Sequence, residues 1–311
     1  MPTKRQAILG LLLVTLFWGG TFVWMKQIMS ALTQEIETYG KSGVVSTIVA
    51  SRFLLALIVL LAISSRARGG LKSIDDWKGG LLIGSLMLGG FVLQMIGIAS
   101  VSPAVSAFLT SLYVVFTACF SIFMSDRKPT RMMIFGVILA TVGAGFIDGP
   151  PHIVWGIGEF LTIISAVFFA IHIIYTDSVT RQRDPIAITA TSFVVLVLGA
   201  LLMMLVFTGG FTVVESTWQD GVIIPLICLG LLGSLVCILV MNLMQKYLSP
   251  THAAIIYSFE PVWATLYGWS VGLVEIKIWL VMGLLLLAGN IIVEFDENKE
   301  GDHLSDDALP E

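Results

Sequence analysis

Runs of about twenty apolar residues recur from one end of this sequence to the other, separated by short clusters of charge, glycine and proline. A helix of about twenty residues crosses the ~30 Å hydrocarbon core of a bilayer. A chain written this way has few folding options, because backbone polar groups inside lipid must be paired within the structure itself. Composition points the same way. Only 12% of the 311 residues are charged and 57% are hydrophobic, against ~25% charged in ordinary soluble domains. No stretch is both long and polar enough for a separate soluble domain. The fold class predicted is all-α integral membrane.

Ten transmembrane helices are predicted, at 7–29, 43–64, 79–100, 103–124, 131–148, 154–176, 186–208, 221–244, 250–272 and 277–294. If the N-terminus is cytoplasmic, thirteen lysines and arginines fall in inner segments and only Lys41 and Lys277 in outer loops. Loops rich in lysine and arginine stay inside, so both termini are predicted cytoplasmic. The net charge of −4 is unevenly spread: Glu294–Glu311 holds eight acids and one lysine, a balance of −7 that leaves +3 elsewhere. With little to bury, residues 295–311 read as a disordered acidic tail. Lys4-Arg5 before an apolar run imitates a secretory leader, but that run is long and has no small-x-small cleavage site, so it is expected to remain as the first span. Cys119, Cys228 and Cys237 show neither a disulfide framework nor metal-ligand spacing.

The sequence writes one segment twice. VSPAVSAFLTSLYVVF (Val101–Phe116) and LSPTHAAIIYSFEPVW (Leu248–Trp263) stand 147 residues apart, each with Ser-Pro where a helix would start. Ala107 matches Ala254, Phe116 matches Trp263 and Gly136 matches Gly283, with a one-residue slip at Gly143 and Gly289. Five spans separate the copies, and an odd number of crossings reverses direction. The expected architecture is therefore two inverted five-helix repeats, 1–148 and 149–294. Such repeats place a substrate near the midplane of secondary transporters.

These residues also carry a resemblance. FWGGTFVWMK (Phe17–Lys26), SRFLLAL (Ser51–Leu57), SPTHAAIIYSFEPVWATLYGW (Ser249–Trp269) and GLLLLAG (Gly283–Gly289) follow one another in an order and spacing similar to the EamA-type transporters of the drug/metabolite transporter superfamily. The resemblance covers all but the acidic tail. It implies ten helices in two inverted halves around a central cavity. It also implies movement of small amino-acid-like or amphipathic metabolites, by family habit in the export direction.

Charged groups inside a membrane are costly and need a reason. Arg52 lies ~12 Å deep from the outside and Glu260 ~15 Å deep from the inside, at 1.5 Å per residue. The two could pair across the interface of the halves, or each could face the cavity. Glu260 is then a candidate proton or cation site, and Arg52 an anchor or a contact for a substrate carboxylate. A buried pair that only fixes packing fits equally well. Pro261 removes a backbone donor inside the ninth span and predicts a kink beside Glu260. The repeat equivalent of Glu260 is Tyr113, a hydrogen-bonding wall from the other half. Gln94 and Asn242 fall within one residue of equivalence, at the two cavity mouths or bonded to backbone. Among the aromatic residues Trp18, Trp24, Trp263, Tyr257 and Tyr267, Trp24 and Tyr257 are the candidate substrate contacts. His172 reads as a packing residue, and Lys26 as a side chain reaching the outer headgroups.

No catalytic constellation, metal-ligand cluster, phosphate loop or cofactor motif is written in the sequence, so neither an enzyme nor an ATP-driven pump is expected. The expected partners are a small-molecule substrate and the lipid bilayer, with proton coupling through Glu260 as a candidate and no role for nucleic acid. A lipid-carrier translocase or a non-transporting scaffold fits the same composition, and monomer and homodimer both remain open. The location implied is the cell inner membrane.

Overall fold

The computed structural model describes residues 3–125, 130–146, 156–248, 253, 256–289 and 291–292. Ser249-Pro250, the junction near Asp148 and the acidic tail lie outside the described residues. The first part of the chain forms α1 (Lys4–Ala31), α2 (Thr33–Tyr39), α3 (Lys41–Ile63), α4 (Ser65–Gly70), α5 (Ile74–Ile98), α6 (Pro103–Thr110) and α7 (Tyr113–Ser125). The second part of the chain forms α8 (Arg131–Phe146), α9 (Ile157–Gln182), α10 (Pro185–Thr208), α11 (Ile223–Cys228), α12 (Cys237–Met244), α13 (Glu260–Ser270) and α14 (Ile278–Gly289). No strand occurs among the described residues. Ser102 and Asp184 accept hydrogen bonds from the first turns of α6 and α10, with Pro103 and Pro185 just inside. Each proline thus occupies a position whose N–H would have no helical partner.

Among the described residues, seven helical stretches are long and apolar enough to cross a membrane, the fourth running from α6 into α7 and the last formed by α11, a π-helical stretch Leu229–Val236 and α12. The other three expected spans correspond to α8, α13 and α14. At 16 residues, α8 is shorter than a full span, and α13 has 11.

The fourth and ninth spans are not the unbroken helices expected. Turns at Ser111-Leu112 and Ser258-Phe259 interrupt them, 147 residues apart. In the first, the Ser111 hydroxyl donates to the carbonyl of Phe108 at 2.7 Å, a local bond that competes with the helical ladder. Pro261 stands in the first turn of α13 just after the second break, so it starts a helix rather than kinking one. Proline alone does not explain the breaks, since Val114 occupies the matching position in α7.

Packing follows small residues. α5 lies against α9 and α10, α3 against α10, and α1 against α13 and the span containing α12. Where α8 crosses α14, a Cβ on Gly143 would strike the backbone of Leu286, and one on Gly289 would strike the backbone of Ala140. Only glycine permits that reciprocal approach.

Lys26 is half-buried and reaches protein, not headgroups. Its ammonium donates to the carbonyls of Ile98 (3.1 Å), Ala99 (3.1 Å) and Val101 (2.9 Å) at the end of α5. Those carbonyls have lost their helical partners, and a cation is favoured at a helix C-terminus. In the last turn of α9, Arg181 donates to the carbonyl of Leu248 at 3.2 Å while bonded to Asp177. Val101 and Leu248 again differ by 147. Lys26→Met is expected to cost about 2 kcal/mol or more, read as a lowered unfolding temperature in detergent. An unchanged midpoint would mean that water replaces the ammonium without loss.

Candidate substrate site

Between α1, α5, α9, α12 and the broken fourth and ninth spans lies a cavity of about 50 Å³. It has room for a few waters. The breaks put side chains on its wall: Thr110 and Tyr113 flank the turn at Ser111-Leu112, and Tyr257 and Glu260 flank the turn at Ser258-Phe259. From α1 come Trp18 and Thr21, and from α9 Phe169, His172 and Ile173. Met87, Phe91 and Gln94 of α5 and Ile238 and Met241 of α12 complete it.

The wall is ordered by numbering. Phe91 and Ile238, Gln94 and Met241, Thr110 and Tyr257, and Tyr113 and Glu260 are four pairs, each 147 residues apart. Trp18 and Phe169, and Thr21 and His172, are two more pairs with a spacing of 151.

Glu260 is 6% exposed, and its carboxyl has no hydrogen bond or ion pair with another described residue. Tyr257 is fully buried and donates its hydroxyl to Gln245 Oε1 at 3.2 Å, while Gln245 Nε2 donates to the carbonyl of Ile173 at 3.1 Å. The ring of Tyr257 packs on Trp18 with centroids 5.4 Å apart. Trp18 Nε1 donates to the carbonyl of Gly233 at 3.2 Å. That acceptor lies within the π-helical stretch, where widened turns leave carbonyls poorly used by the helix. Gln94 Nε2 donates to Thr110 Oγ1 at 3.3 Å, bracing the end of α6. Phe91 and Phe169 meet edge to face at 5.1 Å.

Of the residues expected from sequence, Glu260, Tyr113, Gln94 and Tyr257 line the cavity together, and Arg52, Asn242 and Trp24 do not. Arg52 and Glu260 form no ion pair. Arg52 is 1% exposed, donates from Nε to Ser234 Oγ at 2.9 Å, and holds its guanidinium 4.9 Å from the Phe53 centroid and 4.8 Å from that of Phe91. Ring faces carry negative charge density that attracts the cation. Phe91 therefore connects Arg52 to the cavity that Arg52 itself does not line. Asn242 Nδ2 donates to Thr189 Oγ1 at 2.8 Å in the packing against α10, while its neighbour Met241 faces the cavity. Trp18 replaces Trp24 as the α1 aromatic on the wall. His172 is a wall residue too, with Nε2 3.4 Å from Thr176 Oγ1.

The model of the EamA-like transporter family matches residues 5–147 and again 156–293. The chain belongs to the EamA-like transporter family. A protein of Archaeoglobus fulgidus described as an uncharacterized transporter is 28% identical over 269 residues, 86% of this chain and 79% of its own length. The uncharacterized transporter YoaV of Bacillus subtilis strain 168 is 25% identical over 295 residues, covering 93% of this chain and 96% of its own. A solved crystal structure matches with a TM-score of 0.62 over 94% of this chain and 96% of that one. At 14% identity this last likeness is one of fold. The chain is thus a multi-pass membrane protein of a transporter family.

Proposed function

We propose that this EamA-family chain is a secondary transporter that moves a small amino-acid-like or amphipathic metabolite by alternating access. Two inverted five-helix halves, 1–148 and 149–294, would rock about the cavity between them. The observation that carries this reading is the pairing of the wall, because six positions from one half meet their counterparts from the other around one cavity. Support also comes from the two helix breaks 147 residues apart and from the reciprocal glycine contact of α8 and α14. The cavity as it stands has room for only a few waters, so a metabolite would need the walls to part. Glu260 is the residue assigned to proton coupling. Export, inner-membrane location and cytoplasmic termini complete the reading.

The test is access to the cavity from each face. With Cys119, Cys228 and Cys237 replaced, a Met241→Cys variant is expected to react with a membrane-impermeant thiol reagent in both right-side-out and inside-out vesicles. Reaction from neither side, or from one side only under all conditions, would overturn alternating access and favour a scaffold.

A further inference from the structure

The described wall of the cavity holds a carboxyl and several ring faces but no lysine or arginine. Glu260 is more than nine-tenths buried, reaches that wall, and is given no hydrogen bond or counter-charge by the other described residues. A buried carboxylate left in that condition is costly. Resting on the transporter reading of the same cavity, we infer that the substrate class is an organic monocation with an apolar body, its charge held by Glu260 and its body between the rings of Trp18 and Tyr257 and those of Phe91 and Phe169.

The alternatives meet specific obstacles. An anion would face Glu260 without compensation. A zwitterion needs a counter-charge for its own carboxylate; the described wall offers the hydroxyls of Thr21 and Tyr113, the amide of Gln94 and the imidazole of His172 but no lysine or arginine, and the guanidinium of Arg52 lies against Phe91, outside the cavity lining. A neutral ligand would be bound only with Glu260 kept protonated, which is at odds with the proton-coupling role assigned to it. A cation satisfies the carboxylate, and aromatic faces attract it further. The ring pairs are already set at centroid distances of 5.4 and 5.1 Å, and Met87 and Met241 supply adaptable side chains that accommodate different apolar bodies.

The experiment is calorimetric titration of the full chain in detergent with three probes built on one phenyl ring: phenyltrimethylammonium, phenylalanine and phenylacetate. The first has a fixed positive charge at any pH. It is expected to bind about tenfold tighter than the other two or better, and Glu260→Gln is expected to erase that preference. The ordering of the probes on the unaltered protein needs no variant, so a poorly folded Glu260→Gln does not decide the matter. Equal, reversed or absent binding of the ammonium probe overturns the cation assignment. Labelling of Met241→Cys from both faces would in that case leave the transporter reading standing.

Discussion

Gly19→Leu is expected to both destabilise the protein and disable the cavity. Gly19 is where α1 meets α13: a Cβ there would strike Trp263 Cβ, approach the backbone nitrogen of Ala264 at 2.9 Å and come within 3.1 Å of the Glu260 carbonyl. Backbone atoms cannot turn aside as a side-chain tip can, so the two helices would have to separate. Overpacking a close contact costs about 1–3 kcal/mol, and more where backbone must move. The separating helices carry Trp18 and Glu260, which both line the cavity. Ligand binding should therefore fall together with the unfolding midpoint, whereas a change confined to packing would lower the midpoint alone. Gly19→Ala, with the smallest possible side chain, should show the same two effects in weaker form.

Arg52→Ala is expected to be the most damaging truncation within α3, at about 2–5 kcal/mol. It removes the donor to Ser234 Oγ and empties the space between two phenyl rings. Arg52→Met makes the informative comparison. Among the described residues Arg52 has no carboxylate partner, and its charge is buried at a desolvation cost. Methionine fills much of the volume without that cost, so it should recover more than half of the midpoint lost on truncation. If methionine behaves like alanine, the bond to Ser234 outweighs the packing, and the guanidinium is required as a donor.

The sequence makes the membrane-spanning helices readable, because apolar length is a long-range signal that survives errors of a few residues. The helix breaks were less legible. Ser111 and Ser258 lie in apolar runs with no glycine beside them, and Pro261, the one obvious punctuation mark, begins α13 two residues after its break. In the site, Glu260 and Tyr113 could be found from depth and repeat numbering. Polarity misled at Asn242: the wall position is its apolar neighbour Met241, the residue that the spacing of 147 pairs with Gln94. Trp18 and Trp24 lie six residues apart, which at 100° per residue puts them on different faces of α1. Hydropathy could not choose between those faces, because α1 is apolar on both. Arg52 was legible as a buried charge but not as one held by rings, since Phe91 comes from a different helix.

The π-helical stretch Leu229–Val236 can also be understood mechanically, as slack in the span. Ser234 Oγ donates to the carbonyl of Leu229 at 2.9 Å and accepts from Arg52, while the carbonyl of Gly233 receives the indole of Trp18. Taking up the slack by returning these turns to α-helical bonding would reclaim those carbonyls and turn every residue beyond them about the helix axis. Ile238 and Met241 would swing as Trp18 and Arg52 lost their acceptors. The position of one wall of the cavity and the hold on its principal aromatic ring are thus a single mechanical variable.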